Sequence, residues 1–539
     1  MENKPIRVAE LFAGVGGFRL GLEGVPSSAW EGDYTVPFQT KGTGFKVVFG
    51  NQWEPGTKIQ HAANVYAKRW SMDLTDQGDG WRIFHSKDGD MFANEDIHRF
   101  TTHDENIQRV PDFDLLVGGF PCQDYSVARS TSGELGIEGE KGKLWHPIKK
   151  MIARMNKKGD DTERPKVVLL ENVPRLLNSP AGRRGLNFHK IIDDLLTLGY
   201  EVEWRVINAS EYGMPQQRKR VFILGYRTDL GGGFQGRQSY NKGHFGMNGP
   251  PKTKGPMEAW MFGHHAERQK ENWESGPFAT AFPASGKMLN QGKKRLATNF
   301  DEYDDKQAPF GNCGYAWKGG FGSERWVKQF MAWRATPFEE SQVTNDASTL
   351  GAVIIDRKHK SYDSSYEVSK NELEPWEYAK SEKKEYRIRK NAKEDFSDLW
   401  DTYKACLQSQ DQAKWDEHKE EFEEHVEDGT KRVYRYQEGQ IAYPDHLDTA
   451  SRTIITAEIG KSPSRTRHLI KMRDGSWRRL FPIELERLNQ FPDNWTGLEG
   501  MTDSRRGFLM GNALVVGIID RLRDPLRDLI TQRSKEEEG

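Results

Sequence analysis

A cysteine stands directly behind a proline in the segment Gly-Phe-Pro-Cys-Gln-Asp at 119–124. This segment follows the apolar run 113–117, which predicts a buried parallel strand that ends in a loop. Ligands of open α/β sheets gather just beyond the carboxyl ends of such strands. A thiolate of Cys122 held there could add to an electrophilic carbon and form a covalent intermediate. Taken alone, however, a cysteine is more often a small buried hydrophobic side chain.

A carboxyl group is the second candidate for chemistry. The segment Glu-Asn-Val-Pro at 171–174 follows the apolar run 167–170 directly, so Glu171 would share an edge of the sheet with Cys122. Sheltered from water, its carboxyl group could protonate or hydrogen-bond a nitrogen of a heterocyclic ring. A solvated acid at the end of a strand would explain Glu171 alone equally well.

A basic string, Gln-Gln-Arg-Lys-Arg at 216–220, leads into the apolar run 221–224. Residues two apart on an extended chain point to the same side. Arg218 and Arg220 could therefore contact an anionic or carbonyl oxygen together. A solvated run of surface charge is the competing interpretation.

A glycine-rich loop, Leu-Phe-Ala-Gly-Val-Gly-Gly at 11–17, follows the strand-like run 6–10 and precedes a predicted helix. Its glycines allow a tight turn and a close approach of the backbone to a ligand, and the start of the helix favours negative charge. The spacing departs from the dinucleotide fingerprint, so a pyrophosphate is not required. A plain turn would also explain the loop.

Polar residues follow two further predicted strands. Asn-Gln-Trp-Glu at 51–54 comes where nucleotide-binding α/β folds place a group for the ribose hydroxyls, and Trp53 offers an aromatic face for an adenine. In Glu-Asp-Ile at 95–97, Asp96 could accept a hydrogen bond from an exocyclic amine. An ordinary acidic loop is the alternative for Asp96.

The elements that would position these groups alternate along the first 230 residues. Strands are predicted at 6–10, 45–50, 113–117, 166–170, 201–206 and 221–224, and helices at 58–70, 147–155 and 188–198. This alternation predicts an α/β fold, with a parallel sheet and helices on both of its faces.

The amino-acid composition changes after residue 227, where a tract rich in Gly, Pro and aromatic residues begins. Residues 362–428 are densely charged, with polar helices predicted around 395–408 and 412–426. We therefore predict three parts, which are a catalytic domain at 1–230, one large inserted domain at 231–445 and a return segment at 446–539 that completes the catalytic domain.

Composition sets wider limits. The chain has 539 residues, a net charge of −1 and 35% apolar residues, so its overall charge gives no support to nucleic-acid binding and only local basic clusters could. Its three cysteines lie far apart, which indicates neither a metal site nor disulfides, and favours a reducing compartment. No apolar run is long enough for a membrane span, so we expect a soluble, cytoplasmic protein without membrane contact.

Eight segments, taken in their order along the chain, resemble the DNA (cytosine-5)-methyltransferases of the prokaryotic restriction-modification type. Besides the segments described above, they are Arg-Arg-Leu-Phe-Pro at 478–482 and Gly-Asn-Ala-Leu-Val-Val at 511–516. The resemblance covers residues 6–227 and 452–530. It implies a Rossmann-like, S-adenosylmethionine-dependent methyltransferase sheet, with a large target-recognition domain inserted at 231–445.

The resemblance also implies a reaction, the methylation at C5 of a cytosine flipped out of duplex DNA. Cys122 would attack C6, Glu171 would support N3, and Arg220 with Arg218 would hold O2 or the adjoining phosphate. Residues implied to bind S-adenosylmethionine are Phe12, Gly14, Gly16, Gly17, Gln52, Trp53, Glu54, Asp96, Ile97 and Asn512. Residues implied to contact the DNA or the flipped base are Pro121, Gln123, Ser126 and Asn172.

One position departs from the family pattern. Close relatives commonly carry a ribose-binding glutamate where this chain has Gln52. Either Gln52 makes a neutral hydrogen bond, which its register favours, or Glu54 takes over the task.

The resemblance further implies an enzyme that acts as a monomer on double-stranded DNA at the nucleoid and protects host DNA beside cognate restriction or defence proteins. A transfer-RNA cytosine-5 methyltransferase and a non-catalytic DNA-binding relative are the alternatives. The long inserted region disfavours the first alternative, and the presence of both Cys122 and Glu171 disfavours the second.

Overall fold

The computed structural model describes most of the chain. The described residues are 4–26, 32–75, 80–120, 144–153, 164–180, 183–227, 277–282, 284–288, 294–295, 310–321, 324–337, 348–389, 396–428 and 432–537. Within these ranges, no helix combines the length and the apolar character that crossing a membrane requires.

A mixed sheet of 13 strands forms the centre of the described structure, in the order β10-β13-β12-β8-β9-β7-β6-β1-β2-β5-β4-β3, with β11 paired to β13. Its strands are β1 Ile6–Leu11, β2 Phe45–Asn51, β3 Asp73–Thr75, β4 Ile83–His85, β5 Met91–Ala93, β6 Leu115–Gly119, β7 Val167–Asn172, β8 Tyr200–Asn208, β9 Lys219–Arg227, β10 Ala284–Met288, β11 Lys294–Arg295, β12 Cys313–Phe321 and β13 Glu324–Pro337. Shorter strands outside this sheet are β14 Glu367–Val368, β15 Lys383–Ile388, β16 Val433–Glu438, β17 Ile470–Lys471 and β18 Trp477–Arg478.

Helices cover the sheet and form much of the return segment. The described α-helices are Gly17–Glu23, His61–Arg69, Ile97–Thr102, Asp104–Ile107, Trp145–Ala153, Leu186–Thr197, Pro277–Ala281, Leu350–Val353, Leu373–Lys380, Ser397–Ser409, Gln412–Glu417, Lys419–Glu427, Pro482–Leu488, Asp503–Asn512 and Val516–Glu537. The polar helices predicted around 395–408 and 412–426 are confirmed by three of these.

Both faces of the sheet are buried, as predicted. Alternate residues of β7 point to opposite sides, so Leu170 lies in a core with helix Leu186–Thr197 and Leu169 lies in a core with helix Gly17–Glu23. A strand covered on both faces is apolar at successive positions, which is why the run 167–170 is recognisable in the sequence.

The strand directions are only partly as expected. β1 is parallel to β2 and β6, and β6 is parallel to β7. The expectation of a parallel sheet is wrong at β9, which runs antiparallel to both β7 and β8. An apolar run reveals burial but carries no information on direction, so the sequence could not distinguish the two arrangements.

The region predicted as one inserted domain contributes to two different structures. β12 pairs with β8 of the region 1–230, so β10, β12 and β13 extend the central sheet. By contrast, the hairpin β15–β16 packs with the helices between 397 and 427 around a separate apolar cluster that includes Tyr386, Trp415 and Phe422. We call residues 383–389, 396–428 and 432–438 the charged lobe.

Candidate active site

A carboxylate and a guanidinium meet where β7 ends. Nε of Arg220 lies 2.8 Å from Oε1 of Glu171, and both side chains are partly buried. The antiparallel register pairs Glu171 with Phe222, and Arg220 is two residues before Phe222 on β9. Residues two apart share a face of the sheet, which explains why the guanidinium reaches this carboxylate.

The end of β6 lies beside this pair. Gly119 is in register with Glu171, and a Cβ at position 119 would lie only 3.1 Å from Oε2 of Glu171. Glycine therefore leaves room for the carboxylate. The buried Asn172 donates from Nδ2 to the carbonyl oxygen of Phe120 at 3.2 Å and accepts from the N–H of Val173 at 2.8 Å. These contacts tie the ends of β6 and β7 together.

The predicted nucleophile follows Phe120 in the sequence by two positions. Cys122 and three neighbours implied to contact the substrate, Pro121, Gln123 and Ser126, lie outside the described residues. Their roles stay predictions.

Arg218 does not join Arg220 at the carboxylate. Its side chain is buried and donates to the carbonyl oxygens of Ile454 at 3.3 Å and Gly511 at 2.9 Å. The expected joint contact of Arg218 and Arg220 is not seen, because the carbonyls that Arg218 contacts belong to the chain's own return segment. The geometry therefore gives Arg218 a positioning task, since it attaches the return segment to the start of β9.

The glycine-rich loop follows β1 and has the backbone conformation that its sequence predicts. Phe12, Gly14 and Gly16 have φ values of 53°, 56° and 86°. A Cβ at Gly16 would overlap the indole ring of Trp70, so only glycine fits there. A Cβ at Gly14 would meet nothing within 4 Å, so the backbone at this position borders open space.

Gln52 and Glu54 have distinct partners. Oε1 of Gln52 accepts a hydrogen bond from the N–H of Gly14 at 2.8 Å, which joins the loop after β2 to the glycine-rich loop. Oε2 of Glu54 accepts from the N–H of Ala62 at 3.0 Å, in the first turn of helix His61–Arg69. Because Glu54 caps a helix, the arrangement favours Gln52 for the ribose. Trp53, between the two, is 37% exposed.

Sequence reasoning missed Gln60, which holds the Trp53 loop from within. Its Oε1 accepts from the N–H of Glu54 at 2.7 Å and from Nδ2 of Asn94 at 3.1 Å. Its Nε2 donates to the carbonyl oxygen of Glu54 at 2.8 Å. Asn94 also donates to the carbonyl oxygen of Gln52 at 2.8 Å. No motif marks either amide, because their partners are mostly main-chain atoms.

The remaining predicted cofactor residues differ in exposure. Asp96 is exposed, and its Oδ1 caps helix Ile97–Thr102 by accepting from the N–H of His98 at 2.9 Å. Ile97 is buried in the core below, and Asn512 is exposed at the end of helix Asp503–Asn512. The capping carboxylate is the simplest reason for the acid at position 96.

The glycine-rich loop and the ion pair of Glu171 and Arg220 lie on the same edge of the sheet. Leu11 at the end of β1 pairs with Gly118, and Gly119 pairs with Glu171. Since neighbouring strands are about 4.8 Å apart, the ends of β1 and β7 are separated by about 10 Å. One ligand of modest size can therefore contact both.

A buried acid supports the glycine-rich loop from below. Glu10, at the end of β1, accepts from the hydroxyl of Tyr66 at 3.0 Å and from the N–H of Arg19 at 3.3 Å. Burial raises the pKa of Glu10 to about 7, while Tyr66 and the guanidinium of Arg19 oppose the shift. A charged group under the loop thus titrates near neutral pH.

Comparison with known proteins identifies the family. The model of the C-5 cytosine-specific DNA methylase family matches residues 6–259 and 342–527, which is well over half of the chain. The chain belongs to this family. The resemblance predicted from the eight segments is confirmed, and with it an S-adenosylmethionine-dependent DNA (cytosine-5)-methyltransferase.

Individual relatives agree. The methyltransferase is 34% identical over 527 residues to the type II methyltransferase M.Sau3AI of Staphylococcus aureus, covering 97% of this chain and 96% of that protein. It is 37% identical over 152 residues to M.NgoFVII of Neisseria gonorrhoeae, covering 28% and 36% of the two chains. The solved Dnmt2 methyltransferase of S. pombe is 13% identical, with 98% of each chain covered and a TM-score of 0.42. A TM-score this low does not establish a shared fold.

The residues at the edge of the sheet fit S-adenosylmethionine. The exposed face of Trp53 suits an adenine, and the carboxylate of Asp96 and the amide of Gln52 offer polar partners for an amine and for ribose hydroxyls. The open space beside Gly14 lets the ligand approach the backbone.

Proposed function

We propose that this methyltransferase flips a cytosine out of duplex DNA and methylates it through a covalent bond between Sγ of Cys122 and C6 of the base. One observation carries the proposal. The ion pair of Glu171 and Arg220 lies at the end of β7, beside the end of β6, and the chain continues from β6 into Cys122 within three residues.

Flipping is required by access. C5 and C6 are ring carbons stacked between neighbouring base pairs, so neither a thiolate nor a methyl donor can reach them inside the duplex. The extruded ring would lie against the edge of the sheet, with its N3 side towards Glu171 and its O2 towards Arg220.

Three side chains then act on the extruded ring. The thiolate of Cys122 adds to C6, and the electron pair displaced from the C5–C6 double bond makes C5 nucleophilic. Glu171 supplies a proton towards N3, which can only accept, and the guanidinium of Arg220 stabilises the negative charge that develops at O2; the proton returns to Glu171 when the thiolate leaves. Arg220 also keeps the carboxyl group of Glu171 in place, as their 2.8 Å contact indicates.

Bound S-adenosylmethionine supplies an electrophilic methyl group for C5 of the activated base. The C5 proton then leaves to water or a base, and the electrons of the C5–H bond form the C5–C6 double bond again. The C6–S bond breaks at the same time, and its electrons leave with the thiolate. Gly14, Gln52 and Gln60 would hold the donor, since their contacts fix the loops at the edge of the sheet before it binds.

We further propose that residues 231–445 select the DNA sequence and that the product protects host DNA in a restriction-modification system. Similarity to a type II methyltransferase over nearly the whole of both chains supports this role. Such an enzyme would act as a monomer on its duplex, beside a cognate nuclease of the same specificity.

Labelled methyl transfer tests the proposal. Purified enzyme with radiolabelled S-adenosylmethionine should methylate unmethylated duplex DNA and leave transfer RNA unlabelled, and bisulfite mapping should place 5-methylcytosine within one short sequence. Cys122→Ser should abolish transfer, whereas Cys406→Ala, which removes a buried thiol of the charged lobe, should retain it. Label in transfer RNA alone, or full activity of Cys122→Ser, would contradict the proposal.

A further inference from the structure

We propose that the hairpin β15–β16 of the charged lobe binds the phosphate backbone of the DNA duplex through Arg387, Arg389 and Tyr434. The inference rests on the proposed DNA methylation and adds to it the surface that holds the DNA. It is carried by the two faces of the hairpin, by the division of charge within the lobe and by the way the lobe is attached.

The two faces of the hairpin differ sharply. Tyr386, Ile388 and Val433 are buried in the apolar cluster of the lobe. The residues between them are accessible, since Arg389 is exposed and the side chains of Arg387 and Tyr434 are each 38% exposed. Strand alternation therefore places Arg387, Arg389 and Tyr434 on the more accessible face, which also holds the buried Glu385.

Tyrosine rings lie close to both arginines. The guanidinium carbon of Arg387 lies 3.1 Å from the ring centroid of Tyr436, and that of Arg389 lies 5.6 Å from the centroid of Tyr434, within cation–π range. A ring that contacts the flat face of a guanidinium leaves the N–H donors in its plane able to bind a phosphate with two hydrogen bonds.

Charge is divided between the two sides of the lobe. Residues 396–428, which contain the helices, carry eleven acidic residues and three lysines. The hairpin segments 383–389 and 432–438 together carry six basic and two acidic residues. A polyanion is repelled by the first side and attracted by the second, so a duplex can approach this lobe only from the hairpin.

A contrasting arginine supports this division. Arg435 is directly opposite the buried Tyr386, and its guanidinium lies within 4 Å of Glu423 and Glu427 on the helices. Its charge is thus balanced by the lobe itself. Arg387 and Arg389 project from the other face, where Arg387 lies 3.7 Å from the buried Glu385 and Arg389 is exposed.

The lobe is attached to the return segment. Nε of Arg465 lies 2.7 Å from Glu438 at the end of β16 and its Nη1 donates to the carbonyl oxygen of Ser381 at 2.8 Å. The buried Lys380 lies 3.6 Å from Asp445, which in turn is 2.6 Å from Arg452.

The next contact reaches β9, the strand that carries Arg220. The carbonyl oxygen of Ser451 accepts from the N–H of Gln217 at 2.7 Å, three residues before Arg220. A continuous series of contacts thus connects the hairpin to β9. A duplex held by the hairpin would be oriented with respect to Glu171 and Arg220.

The salt dependence of DNA binding tests the inference. We compare wild type, Arg387→Ala/Arg389→Ala and the control Lys404→Ala/Lys414→Ala, which removes equal charge from exposed helix positions. The affinity for fragmented unmethylated genomic DNA is measured over a KCl series. The slope of log K against log [KCl] is negative, and each lost phosphate contact makes it less steep by about 0.9. The slope of the hairpin variant should therefore be less steep than that of the wild type by about 2.

The control should keep the wild-type slope, and the hairpin variant should keep the wild-type kcat at saturating DNA. An unchanged slope in the hairpin variant, or an equal loss in the control, would overturn the inference. Arg389→Ala alone, at an exposed position, should lose about 1 in slope and serves if the double variant does not fold. Absence of methyl transfer by wild type would instead refute the proposed function, because the slope does not depend on catalysis.

Discussion

Arg220 and Glu171 form an ion pair of 2.8 Å although 49 residues separate them in the chain. The pair exists because β9 inserts antiparallel next to β7 and so returns a basic side chain to the acid at the edge of the sheet. An ordinary surface ion pair contributes little to stability. Its place at the common edge of β1, β6 and β7 is the reason why we propose that it serves the reaction.

Arg220→Ala should therefore reduce kcat more than it reduces stability. Loss of one donor at a site of developing negative charge typically costs about 10²- to 10³-fold in kcat. Lys219→Ala, which alters the exposed neighbour, is the matched control and should stay near wild type. Steady-state methyl transfer and thermal unfolding of both variants provide the measurement, and equal kcat values would contradict the role of Arg220.

Gln60→Ala should impair cofactor binding more than chemistry. The substitution leaves the N–H and the carbonyl oxygen of Glu54 without their amide partner and frees the Trp53 loop. We expect the KM for S-adenosylmethionine to rise about tenfold at nearly constant kcat, because ordering the loop costs about 1.4 kcal/mol more on binding. Gln60→Glu, which keeps the acceptor towards Asn94, should restore part of the affinity. A fall in kcat at unchanged KM would assign Gln60 a different role.

Arg218→Ala should destabilise the junction between the return segment and the sheet. It leaves the carbonyl oxygens of Ile454 and Gly511 without this donor, at a cost of about 1–3 kcal/mol for each buried group left unsatisfied. Arg218→Lys should recover little, because an ammonium group cannot reproduce the guanidinium fork. Denaturant unfolding gives the stability, and limited proteolysis should cleave the return segment faster. Wild-type stability of Arg218→Ala combined with lost activity would favour a direct substrate contact.

Stability should depend on pH through Glu10. Its pKa in the folded protein is raised to about 7, above the value of about 4.3 expected in the unfolded chain. The unfolded state therefore releases its proton first, and this stabilising contribution is complete below about pH 4.3 and is lost as pH rises through 7. Relative to Glu10→Gln, the free energy of unfolding of the wild type should fall by about 3 kcal/mol between these limits. Parallel pH profiles for the two proteins would contradict this.

The sequence predicted those parts of the fold that have a local signature. The runs beginning at residues 6, 45 and 167 became β1, β2 and β7 with nearly the expected ends, because strands buried on both faces must be apolar throughout. β12 and β13 were not predicted, since they lack a clear apolar alternation and are stabilised by pairing with β8 and with each other.

The same distinction holds within the candidate site. Glu171 and the glycine-rich loop were found because their residue types and their position after a strand both indicate function. The partner of Arg218 could not be predicted, because its hydrogen bonds go to main-chain oxygens more than two hundred residues away. Gln60 likewise escaped notice, since an amide that binds backbone leaves no pattern of residue types.

Covalent capture of the target base tests the central claim most directly. A duplex that carries 5-fluorocytosine at the mapped site cannot lose its C5 substituent as a proton, so a C6 adduct should accumulate after methyl transfer. Mass spectrometry of the digested complex should find the methylated 5-fluorocytosine nucleotide bonded to the peptide that contains Cys122, and Cys122→Ser should yield no such species. Full methylation of ordinary DNA without any trapped adduct, or an adduct at another residue, would contradict the account.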